Sequence, residues 1–156
     1  MSDTILTINP AEFNHIPLFN SVSIFDVEDV ILKCPLLRID EGRVIIAAGQ
    51  PNERMYIVLR GEVSVRLDSL DSAPVATLSR GDVFGELSVI DGEPASAFVV
   101  AETRCRLLGL DRDALWELFK RTPYIANNLL AILSRRVRTS NVQLEEYQMR
   151  LKEHED

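Results

Sequence analysis

The spacing of apolar residues predicts helices at the start of the chain. Apolar side chains in residues 24–32 recur at helical intervals, Ser23 can cap the first turn, and Pro35 ends the pattern. Acidic residues in the first turns suit the positive end of the helix dipole. We therefore predict a helical lead-in over residues 10–38.

Residues 39–110 predict β-structure. Short apolar runs alternate there with turns rich in Gly, Pro, Asp and Asn. Only residues 84–90 lack clear alternation, and they predict a short helix. The predicted strands are residues 44–46, 55–59, 63–67, 75–78, 97–101 and 105–110. Many short strands at near-regular spacing favour a mainly β fold, a sandwich or jelly-roll barrel.

The helical pattern returns after the strands and continues to the end of the chain. Asp111 can cap a helix over residues 112–121, and Pro123 suits the first turn of a second, longer helix. Residues 111–156 are therefore predicted to form two C-terminal helices.

The longer helix carries a heptad pattern. Its first series is Leu130, Val137, Leu144 and Leu151, and its second is Leu133, Ser140, Tyr147 and His154. Such a stripe with charged flanks is typical of a coiled coil, so we predict a parallel homodimer through the leucine, valine and tyrosine positions. Packing of the stripe on its own domain and a different protein partner remain alternatives.

The composition is that of a globular chain and excludes several classes of protein. Of 156 residues, 46% are hydrophobic and 26% are charged, which favours one domain, residues 1–156. No apolar run is long enough to cross a bilayer, and the first residues lack the order of a signal peptide. We expect a cytoplasmic location without membrane contact. The formal net charge of -7 argues against nucleic-acid binding by this chain alone.

No arrangement of residues predicts catalysis or a metal site. His15 and His154 lie far apart, and no Ser, Cys or carboxylate completes a triad with either of them. Cys34 and Cys105 have no nearby Cys or His partner, which fits two core residues rather than a disulfide or a metal site. We therefore expect no enzyme activity, no cofactor and no metal.

Several short motifs carry a family resemblance. They are Ile16-Pro17-Leu18-Phe19, Glu41-Gly42, Gly49-Gln50-Pro51, residues 55–63, residues 81–87 and Asp91-Gly92-Glu93-Pro94. In order and spacing they resemble the cyclic-nucleotide-binding domain family, which includes catabolite-activator-type regulators, protein kinase A regulatory subunits and cyclic-nucleotide-gated channels. The resemblance covers residues 16–140. It implies a double-stranded β-helix jelly-roll barrel over residues 39–110, flanked by short N-terminal helices and a long C-terminal helix.

The resemblance also implies a ligand site, a phosphate cassette over residues 84–98. Its candidate residues are Phe84, Gly85, Glu86, Leu87, Ala95, Ser96, Ala97 and Phe98. By this resemblance Gly85 lets the backbone approach a phosphate, and Glu86 accepts a hydrogen bond from the ribose 2′-hydroxyl. The alternative role for Glu86 is capping of the short helix.

Polar residues of the long helix reach the base in this family. The candidates here are Thr139, Ser140 and Asn141. Weakly polar positions in a helix seam are the alternative interpretation.

Two positions of the cassette depart from the family pattern. Nine residues after Glu86 the family has an arginine for the cyclic phosphate, and this chain has Ala95. Three residues later the family has threonine or serine, and this chain has Phe98, which is predicted to fill the phosphate end of the pocket. A charge-assisted hydrogen bond contributes about 1.5–3 kcal/mol, so phosphate binding should weaken about 100- to 10,000-fold. Candidate replacements, each better suited to the surface, are Arg54, Arg66, Arg104 and Arg106.

These residues predict a regulatory sensor domain with a degenerate cassette and weak or absent binding of cAMP and cGMP. A working cAMP-binding signal-transduction module and a structural protein-interaction dimer remain alternatives. No helix-turn-helix follows the long helix before Asp156, so the chain is either a stand-alone sensor or part of a longer regulator.

Overall fold

Residues 10–155 form eight β-strands and five α-helices, with one 3-10 helix between the first two helices. They are the residues that the computed structural model describes; residues 1–9, whose sequence argued against a signal peptide, and Asp156 lie outside them. The helices are α1 (Pro10–Asn14), the 3-10 helix (Pro17–Phe19), α2 (Ile24–Leu32), α3 (Glu86–Asp91), α4 (Arg112–Arg121) and α5 (Pro123–His154). The strands are β1 (Leu36–Ile39), β2 (Val44–Ile46), β3 (Arg54–Arg60), β4 (Val63–Arg66), β5 (Ala76–Leu78), β6 (Val83–Phe84), β7 (Phe98–Ala101) and β8 (Cys105–Asp111).

The strands form two antiparallel sheets of four strands each. One sheet has the order β1-β8-β3-β6 and the other β2-β7-β4-β5. The fold is therefore mainly β with helices at both ends, as predicted. The predicted barrel is not closed, because no strand pair within residues 10–155 joins the two sheets. The short edge strands β5 and β6 each pair with one neighbour, β4 and β3 respectively.

The sheet β1-β8-β3-β6 is covered on both faces. In β3, Met55, Ile57 and Leu59 pack with the helices, whereas Val58 packs with the other sheet. β8 divides its residues in the same way. Both strands therefore read as nearly continuous apolar runs instead of alternating ones. Each fully buried Leu or Ile of these strands contributes about 1.5–3 kcal/mol to stability.

Two strands were missed by the sequence analysis. β1 lies at the end of the predicted helical lead-in, and β6 lies at the start of the predicted short helix. β1 pairs with β8 from Leu36 opposite Leu108 to Ile39 opposite Cys105, so its conformation depends on a partner that is distant in sequence. β6 is held by only two pairings with β3.

Local capping sets the start of both C-terminal helices. The Asp111 side chain accepts a hydrogen bond at 2.8 Å from a backbone N–H in the first turn of α4, which confirms the predicted cap. Thr122 accepts a bond from the Tyr124 N–H, and Pro123 occupies the first turn of α5. Ser23 precedes α2 in extended backbone, but its side chain makes no cap bond.

α5 is attached to the domain along residues 123–136. Ile125 is buried in the core, and the Asn128 amide donates to the carbonyl oxygens of Leu18 at 2.9 Å and Asn20 at 2.8 Å. From residue 137 to residue 155 every position is exposed. Long as α5 is, neither it nor any other helix among the described residues is apolar enough to cross a membrane.

Both cysteines are free thiols beside the cores of the domain. Burial, with a smaller contribution from the Asp111 carboxylate, raises the pKa of the Cys34 thiol to about 11. Burial also raises the pKa of the Cys105 thiol. Because the thiolate is the nucleophile, both groups are poorly reactive at neutral pH, which fits the prediction that they are core residues.

α3 is bounded by two glycines in the left-handed region. Gly85 at its N-terminus has φ +80°, and Gly92 at its C-terminus has φ +74°. A Cβ on Gly85 would lie 2.8 Å from the Arg54 carbonyl oxygen and 3.0 Å from Asn52 Nδ2, whereas a Cβ on Gly92 would meet open space. Gly85 is thus required by its conformation and by the close approach of a neighbouring strand.

We expect Gly85→Ala to lower the free energy of unfolding by about 3 kcal/mol and Gly92→Ala by about 1 kcal/mol. Both substitutions force an L side chain into the left-handed region, but only the first also meets backbone. Urea denaturation followed by Trp116 fluorescence measures both values. Equal losses would show that the close approach at Gly85 has no energetic cost.

Candidate ligand-binding site

A cavity of about 700 Å³ opens between the sheet β2-β7-β4-β5, α3 and α5. Its walls are formed by Ile46, Asn52, Val65, Leu67, Val75, Ala76, Leu78, residues 84–88, residues 95–97, Val99, Arg135, Arg136, Thr139, Ser140, Gln143 and Leu144. A volume in this range, with mostly apolar walls and a few polar groups, is typical of a site for a small molecule.

Seven of the eight candidate residues of the predicted cassette line this cavity. The lining residues are Phe84, Gly85, Glu86, Leu87, Ala95, Ser96 and Ala97. The Asn52 side-chain amide holds the turn before α3, donating to the carbonyl oxygens of Gly85 at 3.1 Å and Arg54 at 2.8 Å. Ala95 is fixed by its backbone, whose N–H donates to the Gln50 carbonyl oxygen at 2.9 Å.

Phe98 does not fill the phosphate end of the cavity, and this prediction is wrong. Phe98 begins β7, and its neighbours Ala97 and Val99 both line the cavity. Successive side chains of a strand point to opposite faces, so Phe98 is directed away from the cavity. The space beside Ala95 therefore remains open.

α5 closes one side of the cavity with a largely polar face. This face consists of three pairs of neighbouring residues, each pair one helical turn after the previous one. The pairs are Arg135 and Arg136, Thr139 and Ser140, and Gln143 and Leu144. Thr139 and Ser140 thus line the cavity, and their contact with a base stays a prediction. Asn141 does not line the cavity, because each helical residue is rotated by about 100° from the one before it.

An ion pair joins the cassette to α5. Arg136 Nη1 lies 2.8 Å from Glu86 Oε1, and the same guanidinium donates to the backbone carbonyl of Val83. Glu86 is only 5% exposed. A carboxylate this deeply buried needs a partner, because desolvation of an unpaired charge costs several kcal/mol. Among the described residues the Glu86 side chain makes this contact and does not cap α3.

The arginines suggested as replacements for the family arginine lie outside the cavity. Arg66 pairs with Glu102 at 2.8 Å on the surface of the sheet β2-β7-β4-β5. Hydrogen bonds from Ser64 and from Arg66 hold the pKa of the Glu102 carboxyl below its usual range, so this pair is a structural contact. The other three are Arg54, Arg104 and Arg106, and none of them lines the cavity.

The sequence analysis missed the two cations that line the site. No Lys or Arg occurs within residues 84–98, so Arg135 and Arg136 of α5 supply the positive charge of the cavity walls. Their position in the sequence could have predicted that they line the site. They precede Thr139 and Ser140 by one helical turn and must therefore share a face with them.

Residues 36–122 match the model of a known family, described as "Cyclic nucleotide-binding domain", over more than half of the chain. The chain belongs to the cyclic nucleotide-binding domain family. The matched range holds both sheets, the cassette and α4, and it ends before α5 begins.

The relatives of the chain include regulators. The "CRP-like cAMP-activated global transcriptional regulator" of Mycobacterium tuberculosis is 33% identical over 102 residues, which cover 64% of this chain and 46% of that protein. The cAMP-dependent protein kinase regulatory subunit of Aspergillus niger is 31% identical over 69% of this chain and 26% of its own length. The chain therefore spans less than half the length of these two curated relatives.

The solved structures agree with the family assignment. The catabolite activator protein of Thermus thermophilus superposes with a TM-score of 0.73 at 30% identity, covering 83% of this chain and 62% of that chain. A cyclic nucleotide-binding domain from Methylobacillus flagellatus gives a TM-score of 0.71 at 29% identity, over 85% and 78% of the two chains.

Removal of the cationic side of the ion pair should loosen α5. We expect Arg136→Met to lower the free energy of unfolding by about 2 kcal/mol, because Glu86 then remains buried without a partner. Amide hydrogen exchange along residues 130–140 should become faster in the same variant.

The matched control is Arg138→Met, an exposed arginine of α5 that does not line the cavity. It should change stability by no more than about 0.5 kcal/mol. Adding Glu86→Gln to Arg136→Met should recover part of the loss. An equal loss in the control variant would contradict a specific role for the pair.

Proposed function

We propose that this chain is a non-catalytic sensor domain in which a small molecule in the cavity sets the position of α5. The observation that carries the proposal is the contact between Glu86 and Arg136, which binds the cavity wall and the helix together. A ligand that engages either side chain changes the attachment of α5, and such differential contact is what shifts a conformational equilibrium.

The family context supports a regulatory role. The relatives include a transcriptional regulator and kinase regulatory subunits, whose names tie them to cAMP. The two free cysteines support a cytoplasmic location, because disulfide-free chains are usual in reducing compartments.

The proposal includes weak or absent binding of cAMP and cGMP through the family cassette. Ala95 is 8% exposed at the buried end of the cavity, and no cation lies within residues 84–98. A phosphate placed there would lose its hydration without gaining a countercharge. The loss corresponds to about 100- to 10,000-fold in affinity relative to a cassette with its arginine.

A working cAMP-binding module is the second candidate. One observation favours it: Arg135 and Arg136 both line the cavity and bring positive charge from α5. Against it, Arg136 is already engaged by Glu86 and by the Val83 carbonyl. A purely structural interaction module has less support, because it relied on a cavity filled by Phe98.

Calorimetric titration of cAMP and cGMP separates the two candidates. We expect the unaltered chain to bind either nucleotide only at millimolar concentration. Ala95→Arg should tighten binding at least 100-fold, because it restores a charge-assisted fork at the cassette. The matched control is Phe98→Thr, which alters the other position that departs from the family and should leave the affinity unchanged.

Either nucleotide binding the unaltered chain at micromolar concentration would contradict the proposed degeneracy of the cassette. It would assign the phosphate to the arginines of α5. Circular dichroism of each variant shows whether a titration without a heat of binding results from a misfolded chain.

We also propose that α5 pairs with a second copy of the chain. Five seam positions with large exposed side chains support this: Val137 and Leu144 are each 59% exposed, and Leu130, Tyr147 and Leu151 are similarly open. Leu133 packs partly against its own core, so the seam begins less regularly than the heptad predicted.

Val137→Glu combined with Leu151→Glu should convert a dimer into a monomer, because each dimer would bury four carboxylates in an apolar seam. Sedimentation equilibrium measures the molecular mass. Met149→Glu is the matched control, since Met149 is 63% exposed but lies outside both heptad series. If the unaltered chain were monomeric at high micromolar concentration, the proposed pairing through α5 would be wrong.

A further inference from the structure

The most deeply buried walls of the cavity are apolar apart from Glu86, whose charge Arg136 neutralises. Ile46, Phe84, Ala95 and Val99 form their apolar part, the buried end of the cavity, and none is more than 8% exposed. A group that reaches these four side chains loses its water against hydrocarbon, which favours an apolar part of a ligand and disfavours a charged one.

The mouth of the cavity is also apolar, although it is open to solvent. Leu67, Val75, Leu87 and Leu144 line it and are each between 42% and 59% exposed. These side chains come from three parts of the fold, the β4–β5 connection, α3 and α5, and they line one opening. Convergent exposed apolar groups around a cavity indicate that an apolar body covers them when the site is occupied.

The charges of the cavity walls do not cancel. Glu86 and Arg136 neutralise each other at 2.8 Å. Among the described residues, the Arg135 guanidinium has no hydrogen-bond or ion-pair partner; only its backbone carbonyl is engaged, by the Thr139 hydroxyl. One positive charge is therefore left over, and it lies on the exposed rim formed by α5.

We propose that the ligand of this site is an amphipathic organic acid, with a hydrocarbon body in the apolar cavity and a carboxylate at Arg135. The inference rests on the proposed sensor function and names the chemical class of its ligand. The carboxylate would stay near water at the rim, where the planar guanidinium can hold both of its oxygens. The apolar body would replace water along both the mouth and the buried end.

This polarity is opposite to the one that a cyclic nucleotide requires. A nucleotide bound through the cassette would put its anion beside Ala95, in a segment, residues 84–98, that contains no cation. A fatty-acid-like molecule satisfies both ends of the cavity with one charge and no buried polar group.

Calorimetric titration of hexanoate, octanoate and 1-octanol tests the inference. Octanoate should bind about fifteenfold more tightly than hexanoate, because each buried methylene contributes about 0.8 kcal/mol, a factor of about four. Arg135→Gln should weaken octanoate about fivefold and leave octanol unchanged, since an exposed ion pair contributes up to about 1 kcal/mol. Arg138→Gln is the matched control and should change neither ligand.

Leu87→Glu provides a second variant on a different element. It places a carboxylate at the mouth and should weaken octanoate more than octanol. Equal affinities for hexanoate and octanoate would overturn the apolar body of the ligand. If neither Arg135→Gln nor Leu87→Glu changed the affinity for octanoate, the placement of its carboxylate would be wrong.

Hydrogen exchange of α5 distinguishes failure of this inference from failure of the sensor proposal. Absence of octanoate binding, with cAMP binding and altering exchange along α5, would overturn the ligand class and leave the sensor function intact. Absence of binding by any of these ligands, with α5 unaffected by all of them, would count against both.

Discussion

The contact between Glu86 and Arg136 is the constraint on which the site depends. Beyond residue 137 α5 is exposed throughout, so this ion pair and the neighbouring bond to Val83 are its last attachments to the β-sheet part of the domain. A buried carboxylate is stable only while its partner stays in place. A movement of the helix would therefore also change the charge of the cavity wall.

Features with local causes were predictable from the sequence. Asp111 caps α4 and Pro123 opens α5 because each acts on backbone within its own turn. Most candidate cassette residues line one cavity because the turn at Gly85, the short helix and the return to β7 follow one another within a few residues. The mainly β fold followed from turn chemistry at regular intervals, which needs no knowledge of distant partners.

Features that depend on distant partners were not predictable in the same way. Arg136 lies 50 positions from the carboxylate it contacts, and β1 becomes a strand only because β8 offers it a free edge. The division of the strands into two sheets was not predicted, because apolar periodicity cannot reveal strand order. The error at Phe98 was different in kind, since the alternation of β7 already placed its side chain opposite Val99.

Two residues of α5 belong to two surfaces at once. Ser140 and Leu144 line the cavity, and both also occupy heptad positions of the helix. If two copies pair through that helix, occupancy and association share the same atoms and cannot be thermodynamically independent. Linkage then makes the effect reciprocal: whatever factor the ligand applies to the association constant, association applies to the affinity for the ligand. The apparent dissociation constant would depend on the concentration of the protein itself, so that the abundance of the sensor would set its threshold.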